Sequence, residues 1–278
     1  MPTNSPVPSR VIRPAGRWFS LDLREILLHR ELLGFLLWRD VKVRYQQTLL
    51  GVLWVVLQPL SYALIFSFVF GRVIGVPSGS VPYPVFCFAG LLIWGLVSTG
   101  LNAATPSVIS HSELVQKVYF PRLLLPLSAT LGGVVDLAVN LAVLAALMAY
   151  YGIQISANLL FAPLFVLGAL ALAFGLGSLL GALNVPFRDV RHITPLLNQL
   201  WLIATPIAYP LTLFPEKWRG IMALNPLTGL VEGFRWAVLG TPQPEPWVLA
   251  SAFGITALLL VLGTVLFKRL EPRFADVI

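Results

Sequence analysis

The chain has 278 residues, 57% of them hydrophobic and 11% charged, with a formal net charge of +7 and a mean hydropathy of +0.83. An ordinary soluble domain carries about 25% charged residues, so the composition excludes one. The apolar residues are gathered into runs that can cross a bilayer, which takes about 20 residues, and the fold class is an all-α polytopic membrane protein.

The N-terminal segment, residues 1–48, is too charged for a signal peptide, and the first apolar run is too long for a signal h-region. Within it, "LDLREILLHRELLGFLLWRDVKVRY" (21–45) repeats Leu33, Leu37, Val41 and Tyr45 at i+4, with Arg39, Asp40, Lys42 and Arg44 on other faces. This pattern predicts an amphipathic helix lying on the membrane surface. Residues 49–278 form the membrane domain, with six spans at about 49–76, 82–104, 125–151, 158–184, 193–213 and 247–267.

Orientation follows the basic residues. Arg10, Arg13, Arg17, Arg24, Arg30, Arg39, Lys42 and Arg44 precede span one, Lys117 and Arg122 follow span two, Arg188 and Arg191 follow span four, and Lys268, Arg269 and Arg273 close the chain. Only Arg72, Lys217, Arg219 and Arg235 fall on the other side. Both termini are thereby placed in the cytoplasm. The excess positive charge lies where membrane sorting and anionic lipid call for it, so no nucleic acid is needed to explain it.

Between spans two and three, "LVQKVYFPR" (114–122) interrupts the apolar chain. Ser110 and Glu113 have capping-box spacing, which predicts a helix starting at His111, and Pro121 would end it. Leu114, Val115, Val118 and Tyr119 share one face, with Glu113, Gln116 and Lys117 on another. Two turns are unstable alone in water, so this short cytoplasmic helix needs a docking partner. On the far side, Asn225–Pro226 is an N-cap followed by proline at the first helical position, and Gly240 is a helix stop. That predicts a helix at about 226–239, with Glu232 and Arg235 paired at i+3, preceded by a shorter one at about 215–224. Neither can span, and both read as a re-entrant or interfacial pair before the last span.

The absences are informative. There is no G-x-x-x-x-G-K-[ST] phosphate loop, and "GLGSLLG" (175–181) lies inside a span, where Gly177-x-x-x-Gly181 reads as a close helix contact. His29, His111 and His192 are scattered without metal-ligand spacing, and Cys87 is a lone packing residue. Mid-span charge is nearly lacking, which argues against ion-coupled transport. The exception is Asp136, which should face protein or a water-filled cavity: either it takes part in a hydrogen bond with Asn140 one turn on, or it has a role in substrate passage.

Two stripes carry aromatic and amide groups. On span one, Trp54, Gln58, Tyr62 and Phe66 repeat at i+4; on span five, Asn198, Trp201, Thr205 and Tyr209 repeat at i+3 or i+4. Such faces stack on sugar rings and bond hydroxyls, and they equally serve as helix packing or an interfacial belt.

"RDVKVRYQQTLLGVLWVVLQPL" (39–60) resembles the start of the transmembrane subunit of ABC-2 type exporters, which move polysaccharides or polyol phosphates such as O-antigen, capsule or teichoic acid across the bacterial inner membrane. "LVQKVYFPRLLLPLS" (114–128), "NVPFRDVRHITPLLNQLW" (184–201), "NPLTGLVEGFRWAVLG" (225–240) and the terminal "FADVI" (274–278) are similar to that family in kind and order. The resemblance implies a homodimer bound to two copies of a separate ATPase, which would hold the ATP and magnesium, so this chain itself needs no cofactor. It implies that Glu113, Leu114, Lys117, Val118, Tyr119, Pro121 and Arg122 couple to that ATPase. It implies that the external pair, with Trp218, Glu232 and Arg235, is a periplasmic gate, and that the stripes line the path of a lipid-linked polysaccharide. Two other readings compete: the same fold exporting a drug or small lipid, and a membrane-embedded glycan enzyme, for which Asp189 is the one candidate carboxylate.

Overall fold

The computed structural model describes residues 28–46, 51 and 53–274, and every regular element among them is helical. The surface-helix expectation over 21–27 and the end of the "FADVI" motif lie outside the described residues. Helix α1 (Arg30–Tyr45) forms over the remainder of the 21–45 segment, but without the expected single apolar face: Leu36 is its buried residue, and Phe35, Trp38 and Val43 are exposed.

Among the described residues five stretches are long and apolar enough to cross a membrane: Leu53–Val73, Tyr83–Ala104, Leu124–Tyr150, Ala157–Asn184 and Pro246–Arg273. The first consists of α2 (Leu53–Phe66) and a π-helical end, Ser67–Val73. Pro59 sits inside α2 and cannot donate to the Val55 carbonyl one turn back. The side-chain amide of Asn140 replaces the lost donor at 3.3 Å. The second stretch is α3 (Tyr83–Ala104), buried along nearly its whole length, and it forms the centre of the bundle. Around it stand α6 (Leu124–Leu131), α7 (Gly133–Tyr150) and α8 (Ala162–Asn184). Two short helices, α4 (Ser107–Ser110) and α5 (Ser112–Lys117), link α3 to α6.

The predicted small-residue contact forms. A Cβ on Gly177 would lie 2.6 Å from that of Ala104, and one on Gly181 would lie 3.2 Å from the Ala104 carbonyl oxygen. A closer approach, unforeseen in the sequence, joins α8 to the last helix, α12 (Pro246–Leu270). There a Cβ on Gly263 would lie 1.9 Å from the Gly175 carbonyl oxygen. Only glycine at both positions lets these backbones meet.

Residues 193–213 depart most from expectation, because they are not one continuous helix. Helix α9 (Val190–Ala204) stops at Thr205, which is extended at φ −100° and ψ 138° because Pro206 follows it. Thr205 to Ala208 are buried irregular backbone, permitted in a membrane protein only where other protein groups satisfy the carbonyls. Those groups come from afar in sequence. The Arg235 guanidinium donates to Pro206 O at 2.9 Å and Ile207 O at 2.6 Å, the Tyr83 hydroxyl to Ala208 O, and the Asn225 amide to Ala204 O at 3.3 Å.

The two short helices predicted before the last span are α10 (Glu216–Ala223) and α11 (Pro226–Leu239). The Asn225 side chain accepts from Leu227 N at 3.1 Å, and Gly240 is left-handed at φ 68°, so both terminal signals operate as read.

Apolar packing falls into two clusters. The larger surrounds α3 and includes Phe88, Ile93, Phe165, Leu230 and Phe234. The smaller gathers Leu36 of α1, Val108, Val115, Phe120, Leu124, Val185, Phe267 and Phe274 at the end of the bundle that carries the N-terminal helix. Burying an aliphatic or aromatic side chain stabilises by about 1.5–3 kcal/mol, which holds α1 and the short linking helices to the bundle.

Candidate functional site

The span-one stripe borders an open-sided cleft of about 330 Å³ between α1, α2, α3 and α7. Trp54, Gln58 and Tyr62 line it, and Phe66 lies beyond them with its ring 6.2 Å from that of Tyr62. The opposite wall is Trp94, Ser98, Thr99 and Asn102 of α3, and the floor is Asp136 and Asn140 of α7. Trp94 meets Tyr62 edge to face at 6.2 Å. Position in the sequence did not mark Trp94 or Asn102, because one aromatic and one amide eight residues apart make no stripe.

Asp136 has a different partner from the one its sequence neighbours gave it. Its carboxylate accepts from the Arg44 guanidinium at 2.9 Å and from the Tyr45 hydroxyl. Asn140 donates at 2.9 Å to the Asp136 backbone carbonyl rather than to the carboxylate. The acid is therefore an anchor that pins the end of α1 to span three. Burial and the hydrogen bond to Asp136 push the Tyr45 phenol up to about 12.

The span-five stripe turns inward. Asn198 is buried and donates to Asn102 Oδ1 at 2.9 Å. Trp201 Nε1 donates to Asn225 Oδ1 at 2.8 Å, and Thr205 Oγ1 both donates to Trp201 O at 2.7 Å and accepts from Asn225 at 3.0 Å. Tyr209 donates to Ile203 O at 3.0 Å and lies against Phe214. These polar atoms brace the break after α9 and seat the start of α11. The outer face of α9 is instead apolar, with Leu196, Leu200 and Ile203 exposed.

The 110–122 segment corrects two expectations. The capping box does not form: His111 occupies the N-cap of α5 without a side-chain cap bond, and its Nδ1 lies 2.7 Å from Ser107 O. The helix also ends before Pro121, since Val118 is already extended at φ −131° and ψ 135°. The shared apolar face therefore divides. Val115 is buried, Leu114 packs at the edge of the smaller cluster, and Val118 and Tyr119 project into the open at 51% and 75% exposure. Glu113 and Lys117 pair with each other at 3.3 Å on the exposed side. Arg122 reaches the last span: its backbone N–H donates to the Glu271 carboxylate at 3.0 Å and its guanidinium to the Glu271 carbonyl. Pro121 thus opens a turn tied to both span three and the end of α12.

In the pair α10 and α11, Trp218 is half exposed. Glu232 and Arg235 approach to 3.6 Å, as their i+3 spacing predicts, and Arg235 is fully buried. Its guanidinium stacks 3.6 Å over the Phe86 ring and also donates to Phe86 O at 3.0 Å. Gly90 supplies the space, for a Cβ there would lie 2.4 Å from the guanidinium.

A model of the ABC-2 type transporter family matches residues 31–239. The O-antigen export system permease protein RfbA of Myxococcus xanthus is 31% identical over 258 residues, covering 91% of this chain and 98% of that protein. A Klebsiella pneumoniae protein of the same description is 31% identical over 243 residues, covering 86% and 92%. The polysialic acid transport protein KpsM of Escherichia coli is 24% identical over 241 residues, covering 84% and 91%.

Proposed function

The chain belongs to the ABC-2 type transporter family, and from that premise we propose that it forms the membrane channel of an ATP-driven exporter of a lipid-linked polysaccharide of the O-antigen or capsule kind. The observation that carries the reading is the end-to-end match to O-antigen export permeases. It favours glycan cargo over a drug or small lipid. The chain is a transport subunit and not an enzyme, which leaves Asp189 without a catalytic part; hydrolysis of magnesium-bound ATP belongs to a partner ATPase. Two copies of this chain with two of the ATPase give the working unit.

In the bacterial inner membrane, α9 followed by the irregular 205–213 segment makes a further crossing, the fifth in chain order, and both termini lie in the cytoplasm with residues 1–48 as the cytoplasmic segment. At about 1.5 Å per residue α9 is roughly 22 Å long, short of a bilayer core of about 30 Å, and the braced segment after it makes up the difference. The pair α10 and α11 then forms the periplasmic gate, with Trp218 at its surface and Glu232 and Arg235 fixing it to the bundle. Trp54, Gln58, Tyr62 and Phe66 face the glycan path. Asn198, Trp201, Thr205 and Tyr209 serve that path by holding the wall between span five and the gate.

Val118 and Tyr119 are the apolar residues most available for an ATPase cleft, with Glu113, Lys117, Pro121 and Arg122 around them and Leu114 supporting from beneath. Movement of this loop would pass to span three through Pro121 and to the last span through Arg122 and Glu271. Complementation of a strain lacking this chain tests the function. Surface glycan should return when chain and ATPase are supplied together, and not with an ATPase whose phosphate-loop lysine is replaced. Export by this chain alone would overturn the proposal.

A further inference from the structure

The segment "NVPFRDVRHITPLLNQLW" (184–201) carries two arginines that the transport reading leaves unused, Arg188 and Arg191. They line a second cleft, of about 250 Å³, between the α4–α5 segment and the loop that joins α8 to α9. Ser110 and Ser112 line it from the other side. Among the described residues neither arginine has a carboxylate within 4.0 Å. Arg191 engages one donor, at 3.1 Å to His192 Nε2, and Arg188 engages none within the described protein. The serine hydroxyls are likewise without a protein partner there, Ser110 because the capping box does not form. The lining thus offers donors and holds neither a carboxylate nor an aromatic ring. A sugar needs acceptors as well as donors, and rings to stack on. A phosphate only accepts, and guanidinium forks match its oxygens.

The cleft is held in shape by protein alone. Asn184, fully buried, donates at 3.3 Å to Thr105 O at the end of α3 and accepts at 3.2 Å from Arg191 N, which ties the first turn of α9 to the bundle. Onward from the cleft, α9 exposes Ile193, Leu196, Leu200 and Ile203 as one apolar stripe at i+3 and i+4. A basic pocket at the head of an apolar stripe suits a ligand with a phosphate head and a hydrocarbon tail. The cleft shares no lining residue with the one beside span one, so it lies apart from the proposed glycan path.

We infer that this cleft binds the phosphate of an anionic phospholipid of the cytoplasmic leaflet, with Arg188 and Arg191 on the phosphate oxygens and Ser110 and Ser112 donating beside them. The choice of leaflet rests on the orientation proposed above; the site itself does not depend on the cargo. Its two walls are the segment leading into the ATPase-facing loop and the start of span five, so a lipid bound there braces one against the other.

The complex of chain and ATPase is reconstituted in phosphatidylcholine nanodiscs with graded phosphatidylglycerol, and the phosphatidylglycerol retained after transfer to detergent is counted by native mass spectrometry. Arg188→Gln with Arg191→Gln should weaken retention about 10- to 100-fold, the loss of hydrogen bonds to a charged group, and should lower the phosphatidylglycerol-stimulated part of ATP hydrolysis. Ser110→Ala with Ser112→Ala keeps every charge and should still weaken retention about 2- to 10-fold. Arg30→Gln with Lys42→Gln removes as many exposed charges from α1 and should leave retention as in wild type. Both cleft arginines are exposed, so their replacement should not move the thermal midpoint. Retention that is unchanged in the cleft variants, or that falls equally in the α1 pair, refutes the site and leaves a solvated basic surface. Occupancy by millimolar inorganic phosphate with no response to phosphatidylglycerol would assign the cleft to free phosphate and overturn the lipid. Loss of the ATPase from the arginine variant, with lipid retention intact, would make the cleft a protein contact and overturn it too. Glycan export is measured in neither arm, so the transport reading stands or falls separately.

Discussion

Replacing Arg235 tests how the backbone break after α9 is held. Arg235→Met preserves length and apolar bulk but removes the donors to Phe86 O, Pro206 O and Ile207 O and leaves Glu232 uncompensated. Removing one partner from a buried charge network costs about 3–5 kcal/mol, because the groups left behind stay buried and unpaired. The stacking on Phe86 contributes about 2 kcal/mol when desolvated and falls within that range rather than adding to it. At roughly 2–4 °C per kcal/mol the midpoint should fall by about 6–20 °C. The assay is the thermal loss of the monodisperse peak of detergent-solubilised protein. Arg235→Lys keeps the charge but not the planar fork, and should fall between the two. Adding Glu232→Gln to Arg235→Met should recover part of the loss, since it discharges the stranded carboxylate while keeping an acceptor for Leu211 N. A midpoint for Arg235→Met within about 2 °C of wild type, under 1 kcal/mol on that scale, would show that the carbonyls after α9 need no guanidinium.

Gly90→Ala pushes a methyl into the Arg235 guanidinium and should destabilise by about 1–3 kcal/mol in the same assay, whereas Gly95→Ala, which meets nothing within 4 Å, should be neutral or slightly stabilising. Tyr119→Asp should abolish co-purification of the ATPase without altering the thermal midpoint, because Tyr119 is exposed; Val115→Asp should lower the midpoint itself, because Val115 is buried. A Tyr119→Asp protein that still captures the ATPase would remove this loop from the docking surface. The raised phenol of Tyr45 means that the folded state holds its proton more tightly than the unfolded chain. Its stabilisation is therefore complete below pH 10 and is lost as pH rises through about 12. Protease protection of α1 should decline over that interval in wild type, and the decline should be shallower in Tyr45→Phe.

Local chemistry that acts within a few residues was legible in the sequence. Apolar run length located the five long spans, Asn225–Pro226 and Gly240 bounded α11, and the glycines at 177 and 181 marked a helix contact, because each signal depends only on near neighbours and the period of a helix. Partners distant in sequence were not legible. Asp136 faced Asn140 by spacing, yet Arg44, 92 residues away, took its carboxylate once α1 lay across span three. Asn198, Trp201 and Thr205 formed a stripe whose periodicity is the same for a channel wall and for a brace, and only Asn102 and Asn225 arriving from other helices made it a brace. The capping box at Ser110 failed because α4 and the His111–Ser107 contact set the start of α5 instead. Spacing gave Arg235 the single partner Glu232, and only the fold brought the carbonyls of Phe86, Pro206 and Ile207 to its guanidinium. A proline announces where backbone bonds are lost, but which side chain replaces them depends on helices packing from elsewhere in the chain, and the tertiary structure alone decides that.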